Sequence, residues 1–484
     1  MSHHRAIVVV AAIASLLTLP LLLSPYFIAQ DLAAHVETAA QIVALLRGDD
    51  VIGATYQLHP LPWPNSLPTF AIAGLLPLLG GLAAGKLVTA VFLVAWPSSL
   101  AVLFSRLGRS PWLALLAIPT CFDLSFSFGF THFVVGKAVW AAALVAAVDV
   151  ARGSSVRRVV VAVIAFVVLF HSHLLLFASA VPLGVIAVVV LSPSWRARGI
   201  GVTAVVVGAV PGAWWIFRQP VVSGTSTYLK VSTRLGNLWQ DLGELHDGNI
   251  DMVPWLIALG AFVVVAMVAP RARFVSRESV VVVVLVGACA GFTLFGPIRT
   301  PEASVIAERF ASMTAALLPA LLPIVVVGPR VRALLVAVGV ACAAVMAGDL
   351  TYRWRAFSHE QMGDFDDVIL AAIPRGAAVA THLVRPLSTW GRHNALWHWP
   401  KLVALRGSHT DDAFAWRATC VLGLRPGVTP PKHPALTAAA LSPWDYMLIQ
   451  GNSSSVERAV GTVPLTLVAS TGVWRLFRVP AQGQ

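Results

Sequence analysis

Apolar runs of membrane-crossing length alternate with short polar breaks until about residue 350, and then they stop. A spanning helix needs about 20 apolar residues. Windows of that length predict about 11 transmembrane helices, near 6–29, 86–105, 111–128, 132–150, 158–173, 174–192, 199–217, 253–270, 279–298, 310–328 and 332–349. The first run, roughly 24 residues long, exceeds the apolar core of about 7–15 that marks a cleaved signal peptide, and so reads as an uncleaved span. Residues 68–84, "PTFAIAGLLPLLGGLAA", are apolar but short and interrupted by Pro and Gly, which predicts a re-entrant or membrane-surface segment. Before them, "QDLAAHVETAAQIVALLRGDD" puts Leu32, Val36, Ala39, Ala40, Val43 and Leu46 on one stripe at helical spacing. That pattern predicts an amphipathic helix lying on the membrane surface.

Residues 351–484 contain no spanning run and are richer in charge, His and Trp. "FDDVILAAIPRGAAVATH" reads as a helix, a Pro-Arg-Gly turn and a short strand, "WDYMLIQG" as a strand, and "LTLVASTGVWRLFRV" as a hairpin about Thr-Gly. The predicted fold class is an α-helical polytopic membrane protein. A transmembrane domain over 1–350, with outer loops at 30–84 and 218–251, precedes a small extracytoplasmic α/β domain over 351–484.

Composition agrees with the pattern: 57% of residues are hydrophobic and 12% charged, against about 25% charged in soluble domains. The net charge of +12 does not call for a nucleic-acid partner, because excess Arg in a membrane protein sets its orientation. With 68–84 not spanning, Arg5, Arg106, Arg109, Arg152, Arg157, Arg158, Arg196, Arg198, Arg271, Arg273, Arg277, Arg330 and Arg332 all fall on the N-terminal side, in short loops. The N-terminus is therefore expected in the cytoplasm and residues after 350 outside it, in the bacterial inner (cytoplasmic) membrane that the Ala/Val/Arg-rich, Lys-poor composition suggests. Of the acids, only Asp149 and Glu278 fall near the cytoplasmic side; Asp31, Glu37, Asp49, Asp50, Asp241, Glu244, Asp247, Asp251, Glu302 and Glu308 face outward. Polar outer loops account for this skew, and so does an outward-facing polar cavity. Cys121, Cys289, Cys342 and Cys420 give neither a disulfide framework nor metal-ligand spacing.

Candidate chemistry gathers in the outer loops. Asp31 and His35, four apart, share a helix face just after the first span. Asp31 is placed to cap the helix, or to act as a general base with His35 as hydrogen-bond partner or phosphate contact. "TYQLHPLPWPNSLPTF" holds Tyr56, His59, Trp63 and Asn65 among four prolines, and reads as a fixed loop, either an interfacial belt or a cavity wall. "DLSFSFGFTHFVVGKAVW" carries Asp123, His132 and Lys137; the lysine, more than a turn into its span, either snorkels or marks a site. His171 and His173 are two apart and do not share a helix face, so one of them contacting an anionic headgroup fits better than a metal pair. Arg299 and Arg309, beside Glu302 and Glu308, can fork onto a lipid phosphate or belong to a rim network. Tyr228, Lys230 and Arg234 lie in the long loop 218–251, and His393 and His398 sit among Trp residues as a weak zinc pattern or a sugar-stacking surface.

The sequence of features resembles the GT-C superfamily of integral membrane glycosyltransferases. The basic turn "LFSRLGRS" after a span belongs to that likeness, and "DLAAH", "LPWPNSLP" and "FSFGFTHFVVGK" look like short motifs of its uncharacterised bacterial members. The resemblance implies a donor sugar on a polyprenyl phosphate, and a glycan, lipid or protein acceptor. It implies Asp31 as general base on an acceptor hydroxyl, or as the group that orients the acceptor, in an inverting transfer, with His35, Lys137, His173, Arg299 and Arg309 as available cations and His132, Tyr56 and Asn65 as substrate contacts. Many members carry paired acids at the first position, whereas Gln30 precedes Asp31 here and the paired acids are Asp49 and Asp50. No cofactor is required by the pattern, and a divalent cation stays open. A transporter or lipid flippase, or a non-catalytic scaffold with a binding outer domain, is the alternative.

Overall fold

The computed structural model describes residues 3–218, 224–243, 249–268, 276–301, 303–391, 393–411, 415, 419–429, 433–461 and 463–480. Glu244, Asp247, Arg271, Arg273 and Glu302 lie outside them. Among the described residues, eight helices are long and apolar enough to cross a membrane: His3–Leu23, Gly81–Arg106, Thr131–Arg152, Leu174–Leu191, Trp195–Arg218, Ile250–Val268, Arg277–Phe295 and Pro329–Leu370. The other three expected spans are helical but shorter. Val156–Ser172 has 17 residues. Pro111–Cys121 and Arg309–Leu321 contain Pro119 and Pro319, whose missing N–H and ring disfavour a long regular helix. Residues 68–84 split at Gly80 (φ 81°) into the helix Leu67–Leu79 and the first turn of Gly81–Arg106. Val160, Ile164, Val206, Val210 and Val263 remain exposed on the bundle exterior, as lipid-facing side chains must.

Arg106 meets Asp149 at 2.8 Å and Arg152 meets Glu278 at 3.0 Å. The two acids that the sequence puts on the basic side thus neutralise arginines there.

At the other end, the C-terminal region forms a five-stranded sheet. Its strands are β2 (Ala378–Leu383), β3 (His409–Thr410), β5 (Tyr446–Gln450), β6 (Thr466–Thr471) and β7 (Trp474–Arg478), in the order β3-β2-β5-β7-β6. β2 runs parallel to β3 and β5, and β6–β7 is the antiparallel hairpin. Two further strands, β1 (Tyr56–Leu58) and β4 (Leu422–Leu424), join the first outer loop to the C-terminal region, with Tyr56 opposite Leu424. Asp49 adds an ion pair with Arg375 at 2.9 Å.

The first outer helix, Leu32–Leu46, departs from expectation. Of its apolar stripe, Leu32, Val36, Ala39 and Ala40 are buried and Leu46 is exposed, while His35, Glu37, Thr38 and Gln41 on the polar side are buried as well. The reason is the segment Trp399–Arg406, which lies across that polar side. The surface helix of the sequence reading is an internal helix, and Lys401 compensates Glu37 at 3.6 Å in its interior.

Candidate active site

Asp31 stands at the entrance to the first outer helix, yet its side chain makes no capping bond there. Its backbone N–H instead donates to Phe128 O at 2.9 Å, and Gln30 N to Ser127 O at 3.3 Å. The turn "FSFGF" therefore fixes the chain where it enters the helix. Gly129 makes this possible: its φ is +69°, and a Cβ there would sit 2.6 Å from Asp31 N. No side chain fits such an approach, and φ > 0 adds strain for any residue but Gly. The Asp31 carboxylate is buried; Gln30 Nε2 and His398 Nε2 both address Oδ1, at 3.3 and 3.4 Å.

Imidazoles continue from the acid. The His35 ring meets His132 edge to face at 4.2 Å between centroids, and His132 Nε2 bonds Thr69 Oγ1 at 2.9 Å. His173 meets the Phe133 ring edge to face at 5.1 Å, and the Arg309 guanidinium lies 5.8 Å from the same ring; His173 Nδ1 accepts from Leu176 N at 3.3 Å. Arg309 donates to Val305 O and Ser304 O at 2.7 and 2.9 Å, and its guanidinium covers the Phe130 ring at 3.7 Å. Phe130 stacks on Phe128 at 5.2 Å, and Phe128 on His393 at 4.0 Å. This column ties Arg309 to the same turn that holds Asp31, so the acid and the guanidinium share one scaffold.

Of the residues singled out in the sequence, Asp31, His35, His132, His173, Arg309, His393 and His398 thus come together. The others go elsewhere. Lys137 neither snorkels nor faces the bundle mouth; it pairs with Asp123 at 2.8 Å, each side chain 1% exposed, and donates to Thr120 O. Ser312 bonds the same carboxylate, and Asp123 also caps the short helix Leu124–Ser127 through Phe126 N. Asn65 (φ +52°) bonds Leu174 N at 2.7 Å, and His171 bonds Trp63 O at 2.8 Å, fastening the Pro-rich loop to the turn between two helices. Tyr56 is buried in an apolar cluster with Ile42, Ile52 and Leu422. Arg299 is exposed, its backbone paired with Thr227 and Ser304. Glu308 pairs with Arg234 at 2.9 Å rather than with Arg309, and Arg234 comes from the helix Val231–Gly243 in the long outer loop.

Of the acid pair Asp49–Asp50, Asp49 accepts from Val51 N and Ile52 N, and its bond to Arg375 holds its carboxyl below the usual range. Among the described residues, no three His, Cys, Asp or Glu side chains cluster as metal ligands do. Sequence reasoning missed the partners of Asp31. Helical spacing groups His35 with it, whereas His398 and Phe128 arrive through tertiary packing. The single local hint was the glycine in "FSFGF".

No family model and no curated protein sequence matches the chain. Solved structures do. ArnT from Cupriavidus metallidurans, bound to undecaprenyl phosphate, superposes with a TM-score of 0.62 at 12% identity, over 100% of this chain and 99% of that one. Its apo state gives 0.61 at 12% identity, over 99% and 98%. The arabinofuranosyltransferase AftD from Mycobacteria gives 0.56 at 17% identity, over 100% of this chain and 40% of that one. At these identities the likeness speaks for the fold: the chain is a multi-pass membrane protein with the fold of the GT-C glycosyltransferases.

Proposed function

We propose that the protein is a membrane glycosyltransferase that moves a sugar from a polyprenyl-phosphate carrier to an acceptor hydroxyl on the extracytoplasmic face, with inversion. The observation that carries this reading is the Asp31 carboxylate. It is buried and not engaged as a helix cap, on the helix whose His35 meets His132, and Arg309 and His173 flank the Phe133 ring beyond. Transfer of this type needs a base at the acceptor and positive charge at the departing phosphate. Asp31 takes the hydroxyl proton, the oxygen attacks the anomeric carbon from the opposite side, and the carbon–oxygen bond to phosphate breaks with its electron pair. Arg309 meets the phosphate charge, and His173, whose Nδ1 accepts from Leu176 N, offers its Nε2–H as a neutral donor. The undecaprenyl phosphate held by the ArnT structure supports a carrier of that class. Arg5 and Asp31 bracket the first span, and the basic loops on the Arg5 side support an outer-face site.

The test is transfer from labelled polyprenyl-phosphate sugars in membranes carrying the wild type or Asp31→Asn. Loss of transfer by at least 100-fold, the order expected for removal of a general base, with unchanged expression and a monodisperse detergent extract, supports the assignment. Retained transfer overturns it.

A further inference from the structure

We infer that His398, contributed by the outer C-terminal region, is a positioning residue for Asp31 that orients its carboxylate and keeps it ionised. The inference rests on the reading of Asp31 as the base.

Three observations converge. His398 Nε2 lies 3.4 Å from Asp31 Oδ1, with side-chain exposures of 9% and 11%. Gln30 Nε2 approaches that same oxygen, so two donors fix one rotamer of the carboxylate. His398 is itself held firmly. It immediately precedes the segment Trp399–Arg406, buried from Trp399 to Ala404, where Trp399 packs edge-on to Tyr26 at 5.5 Å and Lys401 pairs with Glu37. The pairs Asp31–His398 and Glu37–Lys401 run between the same two segments, in the same order. One can therefore hold the register while the other addresses the reacting carboxylate.

A carboxylate buried this far from water resists ionisation unless a donor or a positive charge offsets the lost hydration. Around the pair, the titratable groups are His35 and Glu37 on the Asp31 helix, His132 on the span beside His35, His393 and Lys401 on the outer segment, and Tyr26 against Trp399. His398 Nε2 lies directly against the Asp31 carboxylate. In its protonated form it brings a full positive charge; when neutral, Nε2–H still donates.

The experiment compares His398→Gln and His398→Ala with the wild type in the full-length protein, measuring kcat, KM for the labelled polyprenyl-phosphate sugar, and the pH–rate profile. Gln keeps an N–H donor but cannot carry charge. Its kcat is expected to fall about 10-fold with KM nearly unchanged, and the acidic limb of the profile to move up by about one pH unit, the scale of one nearby opposite charge. Ala also loses the donor, and its kcat is expected to fall about 100-fold, in the range general-base catalysis supplies. A role in folding alone would lower the yield of monodisperse protein and leave the acidic limb of the surviving enzyme in place; that result overturns the inference. So does wild-type kcat and pH profile in both variants while Asp31→Asn is inactive, an outcome that leaves the Asp31 assignment standing. Transfer retained in Asp31→Asn instead refutes the assignment of the base, whatever the His398 variants do.

Discussion

Replacing Lys137 with Met separates a structural role for this lysine from the phosphate contact expected on sequence grounds. Lys137 and Asp123 are 2.8 Å apart and each 1% exposed. At that distance their attraction is about 6 kcal/mol for an effective dielectric constant near 20, and much of it offsets the desolvation of two charges. Removing one partner strands the other in the interior, which costs about 3–5 kcal/mol, whereas removing both charges together is often close to neutral. Asp123 also accepts from Phe126 N and Ser312 Oγ, so its neutral replacement should be Asn, which keeps an acceptor. The expected outcome is strong destabilisation in Lys137→Met and in Asp123→Asn. The double variant should recover to within about 1.5 kcal/mol of the wild type, the worth of an imperfectly replaced hydrogen bond. The assay is thermal unfolding of the detergent-solubilised protein, followed by Trp fluorescence, together with transfer activity at a temperature where every variant is folded. A double variant as unstable as either single one would refute the pairing. A folded double variant whose KM for the lipid-linked sugar rises at least 10-fold would instead return Lys137 to the substrate.

Two further predictions concern the surroundings of the site. Gly129→Ala puts a Cβ 2.6 Å from Asp31 N at φ +69°; it should displace the start of the Asp31 helix, lower stability by more than about 1 kcal/mol, and reduce kcat more than KM in the transfer assay. Burial, then Glu308, raises the Asp241 carboxyl to about 7, against the opposing pull of Arg234. Its folded form therefore holds a proton that the unfolded chain releases near pH 4. The sign follows: this contribution to stability is complete below about pH 4 and is lost as pH rises through about 7. Unfolding temperatures measured from pH 4 to 8 should show that slope, and Asp241→Asn should flatten it.

Much of the fold was legible because its signals are local. Apolar runs mark spans wherever hydrocarbon replaces water. The β6–β7 hairpin followed from alternation about a Thr-Gly turn, where Gly472 has φ +50°. The short helices at Pro111–Cys121 and Arg309–Leu321 were less legible. Composition measures apolarity, whereas the length of a regular helix depends on where proline interrupts its hydrogen bonds.

The site divides along the same line. The sequence by itself placed Asp31 and His35 on one face at the end of the first span, since four residues of helix rise decide that. Only the tertiary structure decided that Asp31 is not a cap and that Arg309 joins it through Phe130 and Phe128. It likewise turned Lys137 inward to Asp123 and set His398 and Lys401 over the polar side of Leu32–Leu46. The physical reason is burial. A polar helix face looks solvated from its own spacing, and its fate depends on whether a distant segment returns carrying charges that match it.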